Sequence, residues 1–97
     1  MAKQAQIYLY GKIESVAKLG ALIRQKRKQS GVRQADAAAL AGVGTRFLSD
    51  LERGKETAEI GKVLRVMSRL GLEVWVTPRG QPLNPGKRST TSTPEEQ

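Results

Sequence analysis

The chain has 97 residues, with 17 Lys+Arg against 9 Asp+Glu and a formal net charge of +8. That length suits one small domain, and the basic balance, with a pI near 10.3, is the electrostatic footprint of a nucleic-acid binder. Cysteine and histidine are absent, which excludes disulfides, thiolate nucleophiles, Cys-based zinc sites and the commonest general base. No apolar run reaches the roughly 18 residues of a membrane span, and the opening MAKQAQIYLYGK lacks a signal peptide's apolar core. The expectation is a cytoplasmic protein that is not an enzyme and takes no cofactor or metal.

Residues 1–11 read as a polar arm with one apolar patch, Ile7–Tyr10, a brief strand or simply a lead. Helix one starts at Ser15, whose hydroxyl suits an N-cap. Val16, Leu19, Leu22 and Ile23 then recur at helical spacing. Arg24, Lys26, Arg27 and Lys28 gather toward its end, where cations favour the helix dipole, and Gly31 stops it. Helix two spans about Gln34–Ala41. Gly42-Val43-Gly44 makes the turn, with Gly42 at positive φ and Val43 plugging the core. Helix three runs from about Thr45 to Arg53, with Leu48 and Leu51 inward and Gly54 at its end. Helix four runs from about Ala58 to Leu70, with Ile60, Val63, Leu64 and Met67 as its core face and Gly71 after it.

Past Gly71 the period becomes two. Leu72, Val74 and Val76 alternate with Glu73, Trp75 and Thr77, which reads as a strand over Glu73–Thr77 closed by Pro78. Residues 79–97 hold too little apolar surface to offset their ordering entropy, so this tail is expected to be disordered. Passive extension, protease handle and partner-binding segment all remain open for it. The chain thus divides into the arm, a domain over 12–78 and the tail.

Two short helices around a glycine turn are the sequence form of a helix-turn-helix. Its second helix enters the DNA major groove by its N-terminal end. Thr45 and Arg46 are therefore placed nearest the bases, with Ser49 and Asp50 one turn on along the same face. The Arg46 fork matches guanine O6 and N7. Asp50 either accepts from cytosine N4 or orients Arg46. Gln34, at the start of helix two, and Arg33, Arg53 and Lys55, at the motif's ends, are placed against phosphates. Arg27 and Glu52 lie on elements that pack together near the core edge, so they are expected to form a partly buried structural ion pair.

From Leu19 to Val76, about 60 % of the chain, these residues resemble the Xre/Cro-type helix-turn-helix regulators. The carrying pieces are LGALIRQKRKQSG, RQADAAALAGVG and FLSDLERGK. IGKVLRVMSRLGLEVWV narrows the resemblance to the HipB antitoxins of toxin–antitoxin operons. The resemblance implies a lambda-repressor-like, all-α fold of four to five helices with one short C-terminal strand. Its base-facing positions fall on Thr45, Arg46 and Asp50, its helix-two glutamine on Gln34, and its buried ion pair on Arg27 and Glu52. It also implies a homodimer on a palindromic double-stranded operator of its own operon, and a HipA-like kinase toxin as partner. Two departures stand out. Arg33 occupies a position where the family usually has a capping threonine, so the start of helix two is expected to fray slightly. Ala37 occupies one where the family favours leucine, so neighbours must fill that part of the core or leave it looser.

A lone strand leaves its ladder groups unpaired. The same strand of a second copy pairs antiparallel across a two-fold axis, with Leu72, Val74, Trp75 and Val76 at the seam. The alternative is intrachain pairing with Ile7–Tyr10. The leading function is a repressor acting as a HipB-like antitoxin. The alternatives are a stand-alone Xre-type regulator and a protein-interaction module that no longer binds DNA.

Overall fold

The computed structural model describes residues 11–81. Its four helices are α1 (Val16–Gln29), α2 (Gln34–Ala41), α3 (Thr45–Glu52) and α4 (Ile60–Arg69). Ser15 opens α1 as its sequence position predicts: its hydroxyl accepts from the Lys18 N–H at 3.1 Å. The turn after α2 is set by Gly42, at φ 68°. The Gly42 and Val43 N–H groups return to the Ala39 and Ala38 carbonyls at 3.1 and 3.0 Å, which uses up otherwise orphaned acceptors. Val43 packs against the core from that turn.

α1 packs on α3, and α2 packs on both α3 and α4. Ile23, Leu48, Leu51 and Val66 are sealed from solvent at the centre. The buried face of α2 is entirely alanine: Ala37, Ala38 and Ala41. These small side chains let α2 approach α3 and α4 closely. Ala37 is only 2 % exposed, so neighbouring groups close over the position where the resembled regulators favour leucine. α1 and α3 also meet backbone to backbone. A Cβ on Gly20 would collide with the Leu51 carbonyl oxygen, so glycine is what permits this crossing.

The structure corrects the expected core face of α4. The buried residues are Val63, Val66, Met67 and Leu70, while Ile60 is 66 % and Leu64 46 % exposed. Packing against α2 turns the helix so that the stripe shifted by three residues faces inward. α4 also begins at Ile60 rather than Ala58. The expected strand over Glu73–Thr77 needs a second strand to pair with, which a single chain does not supply within the described residues. Among those residues there is no strand, and 72–78 carry no regular structure. Leu72 nonetheless packs against the core, and its N–H closes α4 on the Met67 carbonyl at 2.8 Å. The Ile7–Tyr10 patch and the tail beyond Gln81 lie outside the described residues. Among those described, no helix is long and apolar enough to cross a membrane.

Candidate nucleic-acid interface

The Gly42-Val43-Gly44 turn delivers α3 with its first residues outward. Thr45 is exposed and the Arg46 side chain is 87 % exposed. No side chain caps α3, whose N-cap is Gly44. Ser49 and Asp50 follow on the same face, both half-buried. Asp50 is the hub of this surface. Its carboxylate lies 3.6 Å from Arg46 Nε, 3.0 Å from Arg53 Nη2 and 3.9 Å from Lys55 Nζ. The Arg53 fork also donates to Ser49 Oγ at 2.8 Å. Five of the eight residues placed at DNA in the sequence therefore sit in one contact network.

Arg33 and Gln34 stand at the start of α2. Arg33 gives that helix no side-chain cap, as expected, and instead donates to Asp36 Oδ2 at 3.0 Å. Asp36 sits in the first turn, where its charge favours the helix dipole. Gln34 is half-buried, and its amide donates to Glu52 Oε1 at 2.9 Å. That bond was not legible in the sequence, because it depends on how α2 crosses the end of α3.

Beneath this surface lies the Arg27–Glu52 pair. Arg27 Nε donates to Glu52 Oε2 at 2.7 Å and Nη2 to Oε1 at 3.0 Å, a bidentate geometry. Arg27 Nη1 donates to the Val32 carbonyl at 2.9 Å. Both residues are 7 % exposed. Burial pushes the Glu52 carboxyl up, but the hydrogen bonds from Arg27 and Gln34 outweigh it and hold the group below the ordinary carboxylate range. The hydrogen bond to Glu52 holds the Arg27 guanidinium above its ordinary value. Glu52 thus ties α1, α2 and α3 together and fixes the relative pose of the two helix-turn-helix elements.

Two further contacts were not foreseen. Arg65 of α4 donates from Nε to the Ala41 carbonyl at 3.0 Å, capping the end of α2. Lys62 sits 5.6 Å from the centroid of the Phe47 ring, a cation–π contact between α4 and α3. No sequence spacing announces either one, since both cross between elements. Among the described residues no group of His, Cys, Asp and Glu is placed to hold a metal ion.

This arrangement agrees with what the chain resembles. Residues 18–74 match the family described as "Helix-turn-helix domain". A curated relative from Sinorhizobium fredii (strain NBRC 101917 / NGR234), the uncharacterized HTH-type transcriptional regulator y4mF, is 47 % identical over 70 residues, covering 72 % of this chain and 92 % of the relative. Among solved structures, a chain of the "HipA-HipB-O2-O3 complex" superimposes with a TM-score of 0.67 at 20 % identity, covering 72 % of this chain and 99 % of that one. A chain of the "HipB-O4 20mer complex" gives the same values, 0.67 and 20 %, with the same coverage of 72 % and 99 %. The fold is thus shared with HipB, and the chain belongs to the helix-turn-helix domain family, among its transcriptional regulators.

Proposed function

We propose that this protein is a sequence-specific DNA-binding repressor that works as a homodimer on a palindromic operator. The observation that carries the reading is the exposed, uncapped start of α3, with Thr45 and Arg46 outermost and cations around it. A major groove admits a helix in this pose. Arg46 reads guanine, Thr45 and Ser49 face the bases beside it, and Asp50 on the same face either accepts from cytosine N4 or orients Arg46. Gln34, Arg33, Arg53 and Lys55 hold the phosphates on either side. Arg27 and Glu52 do not touch DNA; they keep α2 and α3 in register.

The dimer rests on residues 72–77. Val74, Trp75 and Val76 are 54 %, 44 % and 92 % exposed in the single chain. Leu72, Val74 and Val76 fall on alternate positions and Trp75 on the opposite side, a pattern that suits an antiparallel ladder with a second copy and puts these four residues at or beside the seam. Two recognition helices then meet half-sites about 34 Å apart. The shared fold with chains of HipB complexes supports a finer reading: an antitoxin that represses its own operon and holds a HipA-like kinase toxin inactive. A stand-alone regulator uses the same DNA chemistry, and co-purification with a kinase-like partner separates the two.

In vitro selection from a random duplex pool at stated salt tests the DNA reading. The expected product is a two-fold symmetric site with half-sites one helical turn apart. Recovery of no sequence above random competitor overturns it.

A further inference from the structure

We infer that Asp50 is a specificity-determining positioning residue: its carboxylate restrains the cations of the interface, so that they discriminate an operator rather than grip any duplex. The inference rests on the DNA-binding reading above and deepens it. Four cationic residues belong to that interface: Arg33, Arg46, Arg53 and Lys55. All four lie within 4.0 Å of a carboxylate oxygen. Asp36 takes one of them and Asp50 takes the other three. The exposures of these partners are unequal. The Asp50 side chain is 21 % exposed, while those of Arg46, Arg53 and Lys55 are 87 %, 70 % and 55 % exposed. A half-buried anion thus sits behind a fan of long, exposed cations.

That arrangement has two physical consequences at a DNA surface. An anion facing phosphates opposes every duplex equally, which lowers sequence-independent affinity. The same anion lies 3.6 Å from Arg46 Nε, an ion pair without a hydrogen bond, which biases the long Arg46 side chain toward this face of α3. A guanidinium biased in this way loses less rotamer freedom when it meets a guanine edge. Arg53 is restrained more tightly still, since its fork bonds both Asp50 and Ser49. Phosphates must compete with Asp50 for Arg53 and Lys55, so their engagement depends on α3 being seated in register.

The test compares Asp50→Asn with Asp36→Asn. Both remove one negative charge beside a cation assigned to the interface, but only Asp50 contacts Arg46, Arg53 and Lys55. Affinity is measured over a salt series for two probes: a duplex enriched by selection with the wild-type chain, and a mixed-sequence duplex. For Asp50→Asn the expected result is tighter binding to the mixed-sequence duplex and a log–log salt slope steeper by about 1. The ratio of selected to mixed-sequence affinity should fall about tenfold. Asp36→Asn should steepen the slope comparably and leave that ratio within about twofold. Equal loss of discrimination in both variants would reduce the effect to net charge and overturn the inference, as would an unchanged ratio for Asp50→Asn. An unfolded variant is recognised because it weakens on both probes. If the wild-type chain itself prefers no duplex, the DNA-binding reading fails rather than the role of Asp50.

Discussion

A single carboxylate, Glu52, accepts two hydrogen bonds from Arg27 and one from Gln34. Removing it strands a guanidinium that is almost sealed from water, so Glu52→Ala should destabilise the fold by about 3 kcal/mol or more. In a domain of this size that lowers the melting temperature by at least about 12 °C, and a melt unchanged by the substitution would show that the pair does not hold the helices. The pH dependence follows from the depressed carboxyl. Folded Glu52 takes up a proton less readily than unfolded Glu52. Its stabilisation is therefore present above the unfolded value of about 4.3 and is lost as pH falls through the lower folded value. The wild-type melting temperature should drop on acidification below about pH 4.3, and Glu52→Gln should flatten that part of the profile. Two of the four interface cations, Arg46 and Lys55, should behave differently from each other. Arg46→Ala should cost about 1–3 kcal/mol on the selected operator and relax the preference at one base pair, whereas Lys55→Ala should weaken all duplexes alike and shallow the salt slope by about 1. Identical effects on matched and mismatched sites for Arg46→Ala would remove it from base reading.

The ion pair was legible in the sequence because Arg27 and Glu52 both interrupt otherwise apolar or solvated positions on elements bound to pack. Ser15 and Gly42 were legible for a similar reason: capping and a left-handed turn are local chemistry. The face of α4 was not. Ile60, Val63, Leu64 and Met67 share their spacing with Val63, Val66, Met67 and Leu70. Helical period alone cannot rank two stripes that have two members in common; contact with α2 decides. The Gly20 crossing was hidden too, since a mid-helix glycine reads only as a weak point until its neighbour is known. That gives a paired prediction. Alanine normally stabilises a helix interior by about 1 kcal/mol over glycine. Gly61→Ala in the first turn of α4, where a Cβ meets nothing within 4 Å, should stabilise in the same direction by a smaller amount. Gly20→Ala drives a methyl into the Leu51 carbonyl, forces α1 away from α3, and should cost about 2 kcal/mol net. Chemical denaturation of both variants measures the contrast, and a stabilised Gly20→Ala protein would contradict the close approach.

Whether two copies associate is decided by a contest between charge and apolar surface. Each copy carries +8, so approach is opposed at low salt. That repulsion is screened over about 8 Å at physiological ionic strength. Against it stand Val74, Trp75 and Val76, together with Ile60 and Leu64 on the outer side of α4, all exposed in one chain. An antiparallel ladder adds backbone hydrogen bonds that the described residues 73–77 do not otherwise make. Val74→Pro removes one N–H from that ladder and places a ring where the partner strand must lie. The four helices precede residue 74, so helical content by circular dichroism should be unchanged while the particle halves in mass by light scattering. Operator affinity should then fall steeply, because each half-site loses the effective concentration supplied by its twin. A Val74→Pro protein that stays dimeric would eliminate the intersubunit sheet. A wild-type chain that is monomeric from the outset would instead favour pairing of this segment within its own chain, and each recognition helix would then have to find its half-site alone.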